Sequence, residues 1–245
     1  MNRMVKLTSL SARNKRSDAS YTTRLLIVRH GETDWNAENI KQGQMDVELN
    51  QVGYQQANTL LLGLQRLGLA DHLDAIVSSD LMRARQTADI IAAAYPHAQR
   101  HLECGLREVH CGDMQGRRKK ETHEQEETLS STWLNGNLDV PYPGDGGESP
   151  SVAFKRGLGA LQRAAGLGDN VLVVSHGGLI KWCAIAIELG AEKASKKSLT
   201  HVAKKLGPVR NCCCSILLYD RQTELFRAER WFDDLGDGSA LEDTG

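Results

Sequence analysis

The sequence predicts an α/β protein, a three-layer αβα sandwich with a mainly parallel central sheet. Short apolar runs of β type at 25–28, 75–77 and 171–174 alternate with segments whose apolar residues recur at helical spacing. Strands that alternate with helices favour a parallel sheet covered by helices on both faces. The chain has 245 residues, of which 40% are hydrophobic, and this is ample for such a core.

Each element has its own local signal. Asn50 is expected to cap a helix that runs to Leu67. Asp80 is expected to cap the next helix, which must end before Pro96. The remaining predicted elements are a helix over 151–165, a helix after His176, closing strands over 213–219 and 224–231, and a turn over 220–223 between those strands.

Charge and composition divide the chain into three parts. Residues 1–23 are predicted to be a flexible basic extension, 24–232 the folded domain, and 233–245 an acidic tail. Within the domain, residues about 110–150 are polar and are expected to form an insertion over the site, part helix and part loop. The formal net charge of -1 argues against a nucleic-acid partner.

The sequence indicates a reduced, cytoplasmic protein. The six cysteines show no zinc-ligand spacing, and Cys212, Cys213 and Cys214 are expected to be buried thiols. No apolar run reaches the roughly 18 residues that a membrane helix needs, so no membrane partner is expected. The basic N-terminus leaves an organelle transit segment as an alternative. The oligomeric state stays open.

Two short motifs carry the chemistry. They are Arg29-His30-Gly31-Glu32 and Ser175-His176-Gly177-Gly178, and in each a histidine follows an apolar strand and precedes a glycine. Ligands of open α/β sheets bind beyond the carboxyl ends of the strands. His30 and His176 are therefore expected to meet in one crevice. Because Arg29 stands beside His30, the ligand is expected to be an anion.

Further residues complete a candidate site. A neutral imidazole makes His30 a candidate nucleophile. Arg83, in the first turn of a predicted helix, combines a guanidinium with helix N-terminal amides, which suits an anion. Glu108 is the candidate proton donor. Taken singly, Arg83 could equally be a helix-surface cation, and Glu108 a solvated carboxylate or a salt-bridge partner.

Several motifs together resemble the histidine phosphatase superfamily, the phosphoglycerate mutase-like proteins. The resemblance covers residues 25 to about 220. The segments that carry it are Leu26 to Asn36, Gln42-Gly43, Ser78 to Ala88, Leu106 to Gly112, Gly147-Glu148-Ser149 and Val174 to Gly178.

The resemblance implies a phosphoglycerate mutase-like fold and a mechanism without metal or cofactor. It implies that His30 is transiently phosphorylated, and that Arg29, Arg83 and His176 bind the phosphoryl group. Glu108 would protonate the leaving group and then activate water. The expected substrate-binding residues are Asn36, Gln42, Gly43 and Gly177.

Departures from the mutase pattern favour a phosphatase. Mutases typically carry Glu-Arg-His-Tyr-Gly where this chain has Glu108-Val109-His110-Cys111-Gly112, and Gly-Asn where it has Gly177-Gly178. We therefore expect a cofactor-independent phosphatase acting on a small phosphorylated metabolite, such as a sugar phosphate or phosphoglycerate. A phosphoglycerate mutase is the first alternative, and a protein phosphatase or a catalytically reduced binding protein is the second.

The insertion and the loop near residues 193–205 are expected to set substrate specificity. The lysines of this loop either meet a second acidic group of the substrate or solvate a surface, and the second interpretation is favoured. These lysines are Lys193, Lys196, Lys197, Lys204 and Lys205.

Overall fold

A computed structural model describes residues 21–190 and 196–236, and for Lys196 and Lys197 the backbone only. The predicted basic extension therefore lies almost wholly outside the described residues, as does most of the predicted acidic tail. Leu235, placed in that tail by the sequence, is buried with 2% of its surface exposed. The packed part of the domain thus reaches a few residues beyond position 232.

One six-stranded sheet forms the centre of the described chain, in the order β3-β2-β4-β1-β5-β6. The four strands from β3 to β1 are parallel, whereas β5 is antiparallel to both β1 and β6. The strands are β1 (Thr22–Arg29), β2 (Ala75–Ser78), β3 (Gln99–Leu102), β4 (Asn170–Ser175), β5 (Cys214–Asp220) and β6 (Leu225–Asp233). This mixed, mainly parallel sheet confirms the predicted fold class.

Seven α-helices lie in the described chain, and none of them is long and apolar enough to cross a bilayer. The helices are α1 (Asp34–Ala37), α2 (Gln51–Arg66), α3 (Met82–Ala92), α4 (His123–Leu134), α5 (Pro150–Ala165), α6 (Gly177–Leu189) and α7 (Lys196–Leu206).

The core lies on both faces of the sheet because side chains alternate along each strand. In β1, Leu26 and Val28 pack with α2 and α3 on one face. Leu25 and Ile27 pack with α5 and α6 on the other face. All four side chains are at most 3% exposed. The strand that precedes the first histidine motif is therefore held from both sides.

Strand β3, helix α7 and the four-residue helix α1 were not predicted from the sequence. Strand β3 lies at the edge of the sheet, and its mostly exposed sequence Gln-Arg-His-Leu has no apolar run. Helix α7 covers the lysine-rich segment that the sequence treated as a loop. In addition, Cys212 and Cys213 are buried but precede β5, and only Cys214 belongs to that strand.

The predicted cap of α3 is wrong. Asp80 does not cap the helix, because its carboxylate accepts two hydrogen bonds from Arg107, at 2.8 and 2.5 Å. The N-cap residue is Leu81, which makes no side-chain capping bond. The carboxylate of Asp46, from a distant loop, instead accepts the Met82 N–H at 2.6 Å. The Arg107 partner lowers the pKa of Asp80.

The insertion is part helix (α4) and part loop. It is anchored by Trp133, whose ring is 4% exposed and whose Nε1–H donates to the Val140 carbonyl at 2.8 Å. The Trp133 ring packs edge-on against Tyr142 and against Trp182 of α6, with centroids 5.0 and 5.8 Å away. The insertion is thereby fixed beside the N-terminal half of α6.

Candidate active site

A cleft opens at the carboxyl ends of β1 and β4, which are parallel neighbours with Arg29 opposite Ser175. The residues that follow these two positions are His30 and His176, and their ring centroids are 5.1 Å apart. The cleft encloses about 1020 Å³, including space open to solvent. The sequence motifs that stand 146 positions apart thus meet in one place, as the strand pattern predicted.

His30 is held as a neutral imidazole with one free nitrogen. Its side chain is buried, and Nδ1 lies 2.6 Å from the carbonyl oxygen of Gly31. A carbonyl can only accept, so Nδ1 carries the hydrogen and Nε2 keeps its lone pair. Burial lowers the pKa of His30 well below 6.5, and the positive charges of Arg83 and Arg29 lower it further.

His176 is fully buried, and neither of its ring nitrogens has a hydrogen-bond partner within the described chain. Burial, followed by the charge of Arg83, lowers the pKa of His176 well below 6.5. The ring is therefore neutral in the free protein. It has one N–H to donate and no protein acceptor for it, which leaves it available to a ligand.

Arg83 has no exposed surface and is aimed by a loop. Its Nη2 and Nη1 donate to the carbonyls of Gly43 and Met45, each at 2.8 Å. Its Nε is buried without a partner in the described structure. Burial lowers the pKa of Arg83 to about 10, which keeps the guanidinium charged at neutral pH. Gly43 thus contributes its carbonyl to orienting Arg83.

Arg29, at the end of β1, is the second guanidinium that lines the cleft. Its Nη1 donates to the Val209 carbonyl at 2.7 Å, while its Nε is buried and unpaired in the described residues. Gly177 lets the guanidinium lie against the start of α6, because a Cβ at that position would be 3.2 Å from the Arg29 Nε. Burial lowers the pKa of Arg29 from 12.5.

The carboxylate of Glu108 rests on the N-terminus of α6. Its Oε1 accepts the N–H groups of Val109 and Leu179, each at 2.8 Å, and its Oε2 accepts the Gly178 N–H at 2.9 Å. A carboxylate has about four lone-pair positions. The remaining position, on Oε2, is the one left for a substrate or a water molecule in this half-buried site.

Asn36 and Gln42 are tied into the loop after β1. Gln42 Nε2 donates to the Thr33 hydroxyl at 2.8 Å, and its buried Oε1 has no partner among the described residues. Asn36 Oδ1 accepts from Asn211 Nδ2 at 3.2 Å, and the same Asn211 amide donates to the His30 carbonyl at 3.0 Å. Both predicted residues line the cleft.

Eleven further residues of the described chain that were not predicted from the sequence line the cleft, and we call them the outer wall. They are Ile40, Lys41, Val109, Cys111, Lys119, Tyr142, Lys181, Trp182, Gly207, Pro208 and Val209. Lys41 directly precedes Gln42, and Lys181 lies one helical turn after Gly177. These positions beside motif residues could have identified both lysines from the sequence.

The lysines of the outer wall differ in their partners. Lys41 Nζ lies 2.6 Å from a Glu126 oxygen, and Lys181 donates to the carbonyls of Ala203 and Gly207. Of the lysines for which the sequence left open a contact with a second acidic group, Lys205 lies 3.7 Å from Glu188, and neither it nor Lys204 lines the cleft. Lys193 lies outside the described residues.

No set of three or more His, Cys, Asp or Glu side chains within the described ranges is arranged to hold a metal ion. The polar groups that line the cleft are instead two guanidinium groups, the neutral imidazole of His30 and one carboxylate, and the neutral ring of His176 lies next to His30. Donors around a central space, with one carboxylate at its side, suit a bound oxyanion.

Comparisons with known proteins agree with this arrangement. An Arabidopsis thaliana phosphoglycerate mutase-like protein 4 is 35% identical over 224 residues, which are 90% of this chain and 88% of the relative. A metal-independent phosphoserine phosphatase from Arabidopsis thaliana is 38% identical over 164 residues, 66% of this chain and 67% of the relative.

A solved structure is similar as well. A mycobacterial glucosyl-3-phosphoglycerate phosphatase in complex with inorganic phosphate superposes with a TM-score of 0.68 at 26% identity, covering 87% of this chain and 99% of that chain. The family model of the histidine phosphatase superfamily, branch 1, matches residues 25–234. The chain therefore belongs to the histidine phosphatase superfamily.

Proposed function

We propose that this protein is a cofactor-independent phosphatase that hydrolyses small phosphomonoesters through a phosphohistidine at His30. The observation that carries the proposal is a set of buried donors without acceptors in the described chain, namely Arg29 Nε, Arg83 Nε and the one N–H of His176, whose two ring nitrogens both lack a partner. A buried donor left without an acceptor costs about 1–3 kcal/mol. The oxygens of a phosphoryl group between these side chains supply the missing acceptors.

In the first step His30 Nε2 attacks the phosphorus atom. The P–N bond forms as the bond between phosphorus and the ester oxygen breaks, and the ester oxygen takes a proton from the Glu108 carboxyl group. Because three lone-pair positions of Glu108 are occupied by amides, this proton sits on Oε2. Arg29, Arg83 and the N–H of His176 bind the phosphoryl oxygens while charge develops on them.

In the second step water replaces the alcohol. Glu108, now ionised, takes a proton from a water molecule whose oxygen attacks phosphorus. The P–N bond breaks, inorganic phosphate leaves, and His30 returns to its neutral form with Nδ1–H still bound to Gly31. Each cycle ends with the protein in its starting protonation state, so no cofactor is consumed.

The charge of the cleft supports a substrate with a second acidic group. Its lining carries five cations, Arg29, Arg83, Lys41, Lys119 and Lys181, against the carboxylate of Glu108 in the lining and that of Glu126, which pairs with Lys41. One phosphate dianion does not balance them. We therefore expect phosphorylated carboxylic acids, such as phosphoglycerate, to be better substrates than phosphates of sugars that carry no second acidic group. Relatives named for phosphoserine and glucosyl-3-phosphoglycerate agree with this order.

The proposal is tested with an aryl phosphate, a panel of phosphorylated metabolites and trapping of the phosphoenzyme. We expect release of inorganic phosphate by the wild type and an acid-labile phosphohistidine, both absent in His30→Ala. Equal activity of His30→Ala and wild type, or no trapped phosphohistidine, would refute the mechanism. Conversion of 3- to 2-phosphoglycerate that depends on the bisphosphate, without net phosphate release, would make the protein a mutase.

A further inference from the structure

One guanidinium outside the cleft donates three of its five hydrogen bonds to the backbone segment that carries Glu108. Arg156, in α5, donates from Nη1 to the carbonyls of Gly105 and Arg107, each at 2.9 Å. Its Nη2 donates to the Glu108 carbonyl at 3.3 Å. The remaining donors, Nε and Nη2, bind the two carboxylate oxygens of Glu148 at 2.9 and 2.7 Å.

Glu148 binds the C-terminal end of the same segment. Its Oε2 also accepts the His110 N–H at 2.9 Å, and its own N–H donates to the His110 carbonyl at 2.9 Å. The side chains of Arg156 and Glu148 are only 22% and 14% exposed. A charge-assisted, bidentate pair at this depth is stronger and more directional than a surface ion pair. The backbone from Gly105 to His110 is thereby fixed on both sides of Glu108.

We propose that Arg156 and Glu148 are positioning residues that set the place of the Glu108 carboxyl group during proton transfer. This inference rests on the phosphatase function proposed above. Neither residue lines the cleft, so they act through the backbone of Glu108 and not on the substrate. The carboxyl group must serve two steps from one position, and a displacement of about 1 Å is enough to cost about 100-fold in rate.

The geometry requires a guanidinium. Five donors in a rigid planar fork reach three carbonyls and one carboxylate at once, whereas an ammonium has three donors at a single point. Arg156→Lys therefore keeps the charge but not the set of hydrogen bonds. Arg163 provides a matched control, because it lies in the same helix and forms a bidentate pair with Glu103, at 2.9 and 3.0 Å, that does not involve Glu108.

The test separates proton transfer from general damage by changing the leaving group. Nitrophenolate leaves without a proton, whereas an alkoxide needs one from Glu108. In rapid-quench experiments we expect Arg156→Lys to form phosphohistidine from nitrophenyl phosphate at the wild-type rate. We expect it to react with an alkyl phosphate about 10- to 100-fold more slowly. Because Glu108 also activates water, phosphohistidine should accumulate in this variant, and Arg163→Lys should behave like the wild type.

Equal losses with both leaving groups, or no loss relative to Arg163→Lys, would overturn the positioning role. If Arg156→Lys does not fold, Glu148→Gln decides, since it keeps the side-chain shape but removes the charge that holds the guanidinium. The same leaving-group split is expected there, and its absence overturns the inference. Failure of the wild type to form any phosphohistidine would instead refute the proposed function itself.

Discussion

At the residue scale, Gly178 and Glu108 depend on each other. The Gly178 N–H donates to the Glu108 carboxylate, and a Cβ at position 178 would lie 2.6 Å from Glu108 Oε1. That contact is relieved only if the Glu108 carboxylate itself shifts, because the three nearest atoms all belong to this carboxylate. The glycine that distinguished this chain from the mutase pattern is therefore also the residue that leaves room for the proposed proton donor.

Gly178→Ala is expected to move Glu108 without unfolding α6, since alanine favours helices. We expect kcat with an alkyl phosphate to fall about tenfold or more, with little change in binding of inorganic phosphate. Gly159→Ala is the control, because its Cβ would make an ordinary contact, 3.5 Å from Arg163 Nη1. Steady-state kinetics and thermal melts of both variants check this. An unchanged kcat for Gly178→Ala would show that Glu108 tolerates displacement.

At the element scale, the N-terminus of α3 is joined to the loop that orients Arg83. Asp46 accepts the first amide of the helix, and the carbonyls of Gly43 and Met45 accept from the Arg83 guanidinium. The same loop therefore caps the helix and orients its arginine toward the cleft.

Asp46→Ala is expected to loosen this loop. The affinity for inorganic phosphate should fall about threefold to tenfold, corresponding to the loss of about 1 kcal/mol that typifies a cap. Asp46→Asn keeps an acceptor and should retain most of the affinity. Glu48→Ala, an exposed acid two residues along the same loop, serves as the control. Calorimetric titration with phosphate measures all three, and equal affinities for Asp46→Ala and Glu48→Ala would contradict the coupling.

The elements also show which parts of the fold can be predicted from the sequence. The central strands β1, β2 and β4 and helices α2, α5 and α6 were predicted, because burial imposes apolar runs or helical periodicity on them. Strand β3 was not predicted, because an exposed edge strand does not require a run of apolar residues. Asp80 was misassigned because Arg107 competes for its carboxylate, and that partner is distant in the sequence.

The candidate site could likewise be predicted only in part from the sequence. Residues in motifs at strand ends, such as His30, Arg29 and His176, meet in the cleft because the strand order brings them together. The hydrogen bonds that aim them come from elsewhere in the chain, for instance from Val209 to Arg29 and from Asn211 to the His30 carbonyl. No local pattern encodes such pairings, so they emerge only from the three-dimensional structure.

At the scale of the whole molecule, the two buried neutral histidines couple stability to pH. The pKa values of His30 and His176 in the folded state lie well below 6.5, the ordinary value that the unfolded chain regains. Below about pH 6.5 the unfolded state therefore binds more protons, and the free energy of unfolding decreases as the pH falls. Above that pH both states carry neutral rings, and this contribution is constant.

Urea unfolding between about pH 7.5 and about pH 5 is expected to show this loss, at about 1.4 kcal/mol per pH unit for each histidine. Carboxylates with lowered pKa, such as Asp80, contribute mainly below this window. His176→Gln should remove about half of the slope. A stability that does not change across this interval, or an unchanged slope in the variant, would contradict the neutral assignment.

The position of β1 in the sheet has a consequence for biosynthesis. This strand is made first, yet its two ladder partners are β4 and β5, which begin at Asn170 and Cys214. During synthesis, the two edges of the strand that leads to Arg29 and His30 therefore stay unpaired until most of the domain has emerged from the ribosome. Non-local pairing of this kind slows folding and exposes edges to aggregation. A chain released before β5 would contain Arg29, His30 and the other proposed site residues but lack the antiparallel partner of β1, so we expect its cleft not to be assembled.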